Sequence, residues 1–325
     1  MTHGGDLLRK CRDCDSGGTG ELFRAKTRLA PALVGALAWV CAFAAAASAG
    51  DLPPGAGEVI RQFQGQLYFA AKSLKTGETI EHRAGEKVQT ASVIKVAILV
   101  ELFAAAHEHR LSLDDVVAFS EENRVPGSGI LQDLGVGLHL RLRDAGVLMT
   151  VLSDNSATNI LIDRLGVAAV NARMRAAGLE ETVLFKKVFK PAAEPLPEEQ
   201  KKWGLGVTTP RDMLRLFEKL YRKEIVDAAS CDAMLAILKK QRDRDAIPRY
   251  FTGKAWEKVE VAHKTGALDR VRNDTGIVFT PDGDSVLALF AQESEDQRWT
   301  ADNAATLALA KLAEALVSHF RGPTR

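Results

Sequence analysis

Two residues three positions apart have the types and spacing needed for nucleophilic chemistry. Ser92 and Lys95 form an S-x-x-K motif at the start of SVIKVAILVELFAAAHEH, an apolar run without proline or glycine that predicts a buried helix. A serine hydroxyl is a poor nucleophile until a neighbouring base accepts its proton. A lysine three residues along a helix projects from the same face. Lys95 can therefore be that base, provided that burial or a nearby cation lowers its pKa.

Two tripeptides further along the chain complete a possible acyl-transfer site. Ser153-Asp154-Asn155 lies between two predicted helices, and Lys264-Thr265-Gly266 lies on a predicted strand. A given tripeptide is expected about 0.04 times by chance in a chain of this length. The three motifs in this order are therefore stronger evidence for a catalytic site than any one of them alone. If Ser92 begins a helix, its amide and that of Ala267 could form an oxyanion hole.

The three motifs together resemble those of class A β-lactamases and penicillin-binding proteins. Thr208-Thr209-Pro210 and Arg272-Asn273-Asp274 extend the resemblance over nearly all of the chain after residue 49. The resemblance implies a serine hydrolase, closest to class A, that opens a β-lactam amide through an acyl-enzyme at Ser92.

The same resemblance implies roles for the other motif residues. Ser153 would relay a proton to the leaving nitrogen, and Asn155 would hydrogen-bond the side-chain amide of the substrate. Lys264 and Thr265, followed by Gly266 in the motif, would hold the substrate carboxylate through charge-assisted contacts. Arg272 could add a bidentate contact to that carboxylate, or it could be a salt-bridged surface arginine.

The base for the second half of the reaction is less clearly marked. Class A enzymes carry a glutamate in an ExxLN motif that activates the deacylating water, whereas the loop here is KPAAEPLPEEQKKWGLGVTTP and lacks that motif. Glu194 lies 14 residues before Thr208 and is the candidate base. Glu198 and Glu199 are alternatives, and a solvated acidic loop without catalytic role is equally open.

The elements that must position these residues follow from residue patterning. Strand patterns cover 67–74 and 78–82, then 258–265, 276–280 and 285–291, and helical patterns fill the region between them. The prediction is an α/β (α+β) fold of β-lactamase/transpeptidase type: an antiparallel sheet with flanking terminal helices plus an inserted all-helical lobe. The catalytic domain is predicted at 50–325, with the sheet part at about 50–90 and 257–325 and the helical lobe at about 91–256.

The first 49 residues are predicted to be a leader with a signal peptide. Arg24, Lys26 and Arg28 precede an apolar stretch at 29–47, which ends in the small-residue pattern Ala47-Ser48-Ala49. An uncleaved membrane anchor is the alternative. Cleavage would give a periplasmic or secreted bacterial protein that is no longer attached to a membrane.

Composition and charge exclude some classes of function. The chain has 325 residues, a formal net charge of +1 and no long basic run, which argues against a nucleic-acid partner. We predict a monomer with neither metal nor organic cofactor, acting on a small β-lactam or a peptidoglycan peptide. Three hypotheses remain: a β-lactamase, a D-alanyl-D-alanine carboxypeptidase or related esterase, and a penicillin-binding module that is acylated once and deacylates slowly. The rate of deacylation distinguishes the first from the last.

Overall fold

The structure is a computed structural model that describes residues 52–322. The predicted leader and signal peptide lie outside the described residues. The helices are α1 (Pro54–Gln62), α2 (Lys95–His107), α3 (Leu142–Val151), α4 (Asn155–Leu165), α5 (Val167–Ala176), α6 (Glu198–Lys201), α7 (Pro210–Tyr221), α8 (Ala228–Leu238) and α9 (Ala304–Arg321). The strands are β1 (Gln66–Ser73), β2 (Thr79–His82), β3 (Val88–Gln89), β4 (Val116–Ala118), β5 (His139–Arg141), β6 (Val183–Leu184), β7 (Gly206–Thr208), β8 (Glu260–Leu268), β9 (Val271–Phe279) and β10 (Ser285–Gln292).

The main sheet has five antiparallel strands in the order β2-β1-β10-β9-β8. Every residue of its central strand β10 is buried, because α1 and α9 cover one face of the sheet and the helical lobe covers the other. This arrangement confirms the predicted fold class, an antiparallel sheet with terminal helices and an inserted helical lobe.

The helix that follows Ser92 lies at the centre of that lobe. Eleven of the thirteen residues of α2 are buried, as expected for a helix that is apolar on every side. It contacts α3, α4, α5 and α8. A 3₁₀ turn at Ala91–Ile94 precedes it and packs on β8 and β9, so the start of α2 meets the edge of the sheet.

The structure adds two details that the sequence patterns did not predict. The inserted lobe is not entirely helical, because β4 pairs with β5 and a small sheet has the order β3-β7-β6. Strands of two or three residues are too short to show an alternating pattern. In addition, Ser92 lies in the 3₁₀ turn, and the α-helix itself begins at Lys95.

Candidate active site

Ser92 lies at the junction of two cavities. The first has a volume of about 500 Å³ and the second about 770 Å³, and Ser128, Ala267 and Trp299 also line both. Ser92 is only partly buried, although its neighbours Ala91 and Val93 are fully buried. Ala91 has a φ of 44°, in the left-handed region that non-glycine residues rarely adopt. This strained turn presents Ser92 to the cleft.

Lys95 is fully buried and connects the first two motifs. Its Nζ atom lies 2.7 Å from the carbonyl oxygen of Ser153, 3.2 Å from Ser153 Oγ and 2.9 Å from Asn155 Oδ1. These contacts hold the amine in the cleft, one turn beyond Ser92.

Lys264 reaches the same serine from the other side of the cleft. Its Nζ atom donates to Ser153 Oγ at 3.1 Å and to the carbonyl oxygen of Thr265 at 2.7 Å. Ser153 Oγ therefore lies between the two lysines. The structure brings together the three motifs, which are far apart in the chain.

Burial changes the proton affinity of both lysines. The pKa of Lys95 is well below its usual range because burial, and then the nearby charge of Lys264, disfavour its ammonium form. Burial also lowers the pKa of Lys264, to about 8, while Asp243 and Asp274 partly oppose the shift. The lowered pKa of Lys95 favours its neutral form, which can accept a proton, whereas Lys264, with a pKa of about 8, is mostly charged at neutral pH.

Asp154 fixes the turn that carries Ser153 and Asn155. Its Oδ1 atom accepts the Ala157 amide at 2.8 Å and caps α4, and its Oδ2 atom accepts the amides of Ile130 at 2.7 Å and Leu131 at 2.8 Å. Ser153 itself has a φ of 56°. The buried carboxylate stabilises a backbone conformation that a serine would otherwise seldom adopt.

The third motif lies on an edge strand of the sheet, since β8 is its last strand, but its residues are buried there. Thr265, Gly266 and Ala267 line the first cavity beside Ser92. A Cβ atom at Gly266 would lie 2.8 Å from the Thr90 carbonyl oxygen and 3.0 Å from the Ser92 nitrogen. Only a glycine lets the strand come this close to the serine turn.

Arg272 lies in the first cavity, but much of its hydrogen-bonding capacity is used. It donates to the carbonyl oxygens of Leu268, Val271 and Arg298, and its guanidinium lies 4.7 Å from the centre of the Trp299 ring. Burial lowers its pKa. Arg272 is thus buried, and it forms no salt bridge with any residue of 52–322.

Glu194 does not line either of the two cavities, and neither do Glu198 and Glu199. All three are exposed, and Glu198 pairs with Lys201. Two parts of the surrounding chain line the second cavity beside Ser92: Gly204 and Leu205 after the glutamates, and a segment before them that consists of Lys186, Lys187, Val188 and Phe189.

A buried asparagine on α4 fixes that segment. The Val188 amide donates to Asn159 Oδ1 at 2.8 Å, and Asn159 Nδ2 donates to the Val188 carbonyl oxygen at 3.1 Å. This contact could not be predicted from the sequence, because it joins residues 29 positions apart and matches no motif. Trp299, which lines both cavities, was missed for the same reason.

Two broader features of residues 52–322 bear on possible ligands. No cluster of three or more His, Cys, Asp or Glu side chains in this range could hold a metal ion. None of the helices in this range has the length and apolar character required to cross a membrane.

The chain is similar to known proteins along most of its length. It is 29% identical over 272 residues to a β-lactamase of Streptomyces cellulosae, an alignment that covers 78% of this chain and 83% of the relative. A β-lactamase from Sphaerobacter thermophilus superposes with a TM-score of 0.73 at 29% identity, covering 82% of this chain and 96% of the other. A leucine-to-glutamate variant of PBP-A, solved as an acyl-enzyme complex with penicillin G, superposes with a TM-score of 0.69 at 28% identity, covering 81% and 92%.

The family model for the β-lactamase enzyme family matches residues 56–320. That range includes the serine turn, both lysines and the edge strand that meet in the cleft. The chain therefore belongs to the β-lactamase enzyme family.

Proposed function

We propose that this protein opens the amide of a β-lactam by forming an acyl-enzyme at Ser92. The observation that supports this most directly is the position of Ser153 Oγ, 3.2 Å from Lys95 Nζ and 3.1 Å from Lys264 Nζ. A hydroxyl between a neutral and a charged amine can pass on a proton in either direction.

The chemical steps follow from that arrangement. Neutral Lys95 accepts the proton of Ser92 Oγ as this oxygen attacks the lactam carbonyl carbon. The amides of Ser92 and Ala267 stabilise the oxyanion of the tetrahedral intermediate. The carbon–nitrogen bond then breaks, Ser153 gives its proton to the leaving nitrogen, and the proton held by Lys95 restores the Ser153 hydroxyl.

The two cavities divide the substrate between them. Thr265 and Gly266 line the first cavity beside buried Lys264, which suits the carboxylate next to the leaving nitrogen. Arg272 shapes this cavity and orients Trp299. Its direct contact with the substrate carboxylate is secondary, because several of its N–H groups already donate to backbone carbonyl oxygens. Asn155 lines the second cavity, where its amide is placed for the acyl side chain of the substrate.

Intact mass spectrometry and a Ser92→Ala variant test this proposal. When the reaction is quenched with acid within milliseconds of mixing, excess benzylpenicillin should add its full mass to the wild-type protein and nothing to the variant. A Ser230→Ala variant, altered at a serine on α8 that lines neither cavity, is the matched control and should be acylated normally. Equal acylation of the Ser92→Ala variant would contradict the assignment.

A second candidate function is a penicillin-binding protein that deacylates slowly and acts on peptidoglycan peptides. The specific observation in its favour is that, among residues 52–322, no glutamate lines the two cavities at Ser92. Val188 lies in the second cavity instead, on a backbone held by Asn159. The PBP-A relative was captured as a penicillin G acyl-enzyme, so a protein of similar fold can hold this intermediate.

The time course of chromogenic cephalosporin opening at tenfold excess separates the two candidates. Sustained turnover supports the β-lactamase, whereas a burst of one equivalent supports the slow-deacylating protein.

Glu194→Gln should slow turnover if Glu194 activates the water, and unchanged turnover would remove that role. If the burst is observed, Val188→Glu should speed deacylation at least tenfold by placing a carboxylate in the Ser92 cavity.

We also propose that the protein is a periplasmic or secreted monomer. The basic flank, apolar stretch and Ala47-Ser48-Ala49 pattern support export with cleavage after Ala49. The N-terminal sequence of protein isolated from the periplasm, and its mass in solution, would test both points. A protein that retains its first 49 residues and stays with the membrane fraction would contradict export by cleavage.

A further inference from the structure

The second cavity has an unusual number of exposed apolar side chains. Phe189 is 66% exposed, Trp299 is 65% exposed and Leu268 is 40% exposed, and all three line this cavity. Large apolar side chains that gather in one concave region of the surface mark a ligand site more often than chance exposure does.

One of the charged side chains in this cavity, Lys186, has no partner among residues 52–322. Lys187 is engaged by Asp163, at 2.8 Å, and Asp269 accepts the Trp299 indole N–H at 3.3 Å. Lys186 also lines the cavity, and within residues 52–322 its ammonium has neither an ion pair nor a hydrogen bond to the protein. A partly buried cation without a protein partner favours an anionic ligand group.

The position of the cavity tells which part of a substrate enters it. Ser92, where the carbonyl carbon reacts, lies at the junction, and the third motif lines the first cavity. The leaving-group side of the substrate therefore occupies the first cavity. The acyl side chain then extends past Asn155 into the second cavity.

We propose that the second cavity selects acyl side chains that carry both an aromatic ring and a carboxylate. The ring packs against Phe189, Leu268 and Trp299, and the carboxylate faces Lys186. This inference rests on the proposed acyl transfer at Ser92 and adds the chemical class of the preferred acyl group.

Two penicillins that differ by one group provide the test. Carbenicillin has the side chain of benzylpenicillin with an added carboxylate, so the ratio of their second-order acylation rate constants isolates the anionic contact. We expect wild-type protein to prefer carbenicillin, and Lys186→Met to reduce the ratio about fivefold, in line with a partly solvated ion pair. Added salt should weaken the preference of the wild type.

The matched control is Lys190→Met, which removes the same charge from the same loop outside the cavity. This variant should retain the wild-type ratio. Phe189→Ala should slow acylation by both penicillins relative to 6-aminopenicillanic acid, which lacks the acyl side chain.

The possible failures can be told apart. An unchanged ratio in Lys186→Met, or an equal fall in Lys190→Met, would overturn the selection proposed here while leaving acyl transfer intact. If wild-type protein is acylated by none of the three compounds, the proposed function itself fails, and this inference fails with it.

Discussion

Lys264 sets an upper pH limit on the first half of the reaction. Burial lowers its pKa to about 8, so the ammonium loses its proton as pH rises through this value. In the proposed reaction a charged Lys264 holds the substrate carboxylate. Acylation by benzylpenicillin should therefore decline above pH 8, approaching tenfold per pH unit, whereas the penicillin methyl ester should show no such decline. An equal decline with the ester would mean that another group titrates.

Stability should change with pH in the opposite direction. The pKa of Lys264 is lower in the folded protein than its usual 10.5, so between about pH 8 and 10.5 the unfolded chain binds more protons. The contribution of Lys264 to the free energy of unfolding therefore rises with pH over this interval. Urea midpoints measured alongside the acylation rates would show that alkaline loss of acylation is not unfolding.

His263 and Asp274 form a fully buried pair next to the Lys264 strand. His263 Nδ1 lies 2.8 Å from Asp274 Oδ1, and Asp274 Oδ2 accepts the Ile247 amide at 2.9 Å. Asp274→Asn leaves one carbonyl oxygen for two donors, so a buried donor loses its partner. We expect a loss of about 1–3 kcal/mol in the free energy of unfolding, measured with urea.

Asp232→Asn is the control for that substitution. Asp232 pairs with Lys223 on the surface, where an ion pair contributes about 0–1 kcal/mol. If both variants lose the same free energy of unfolding, the buried pair contributes no more to stability than the surface ion pair does.

Much of the residue-scale arrangement can be predicted from the sequence, because serine, lysine and amide groups in fixed motifs have few chemical uses. The three motifs predict one shared site for Ser92, Lys95, Ser153, Asn155 and Lys264. Partners of these groups were harder to predict. The Asn159–Val188 and Arg272–Trp299 contacts depend on how distant segments pack, and no local pattern encodes them.

At the scale of elements, the approach of β8 to the serine turn determines the proposed oxyanion hole. A Cβ atom at Gly266 would meet backbone atoms of Thr90, Ser92 and Val93 at 2.8–3.1 Å. Gly266→Ala should push β8 away from the turn and separate the two amides. Acylation should fall by about a hundredfold or more, the usual effect of losing one oxyanion donor. Single-turnover acylation kinetics would measure this loss.

Gly135→Ala is the matched control, because nothing lies within 4 Å of a Cβ atom at that position. It should be acylated at the wild-type rate. Acylation at the wild-type rate in the Gly266→Ala variant would contradict the prediction, because it would show that β8 can move without slowing the reaction at Ser92.

Strands β1, β2 and β10 begin and end within one residue of the predicted ranges, because their patterns persist over their lengths. The prediction for β9 was wrong at its start: the strand begins at Val271 and not at residue 276, because its first half includes the polar residues Arg272, Asn273 and Asp274. Side-chain caps mark the first residues of two helices: Thr209 accepts the Asp212 amide at 3.1 Å at the start of α7, and Asn303 caps α9. The path of the 185–205 loop could not be predicted. Its prolines and charges mark an irregular segment, but which of its residues face Ser92 depends on tertiary contacts.

At the scale of the whole molecule, the two sides of the sheet share the same strands. Phe69 and Leu289 belong to the core under α1 and α9, whereas Ala70 and Phe290, the next residues along β1 and β10, belong to the core of the helical lobe. Disturbing either core therefore alters strands that both cores require. The molecule should unfold as one cooperative unit, including the cleft between its two parts.

Leu316→Ala tests this cooperativity from the side away from the active site. Leu316 is fully buried on α9 and lines neither cavity, so its truncation should cost about 2–5 kcal/mol. Because the cores share strands, the urea midpoint should fall equally when followed by Trp256 fluorescence, near the α9 core, and by residual acylation of Ser92, on the other side of the sheet. Val116→Ala, at a side chain 58% exposed, should leave both midpoints within error of wild type. Two separate transitions, with only the fluorescence midpoint shifted, would contradict cooperative unfolding. The helical lobe and Ser92 would then remain folded after the α9 side of the sheet has unfolded.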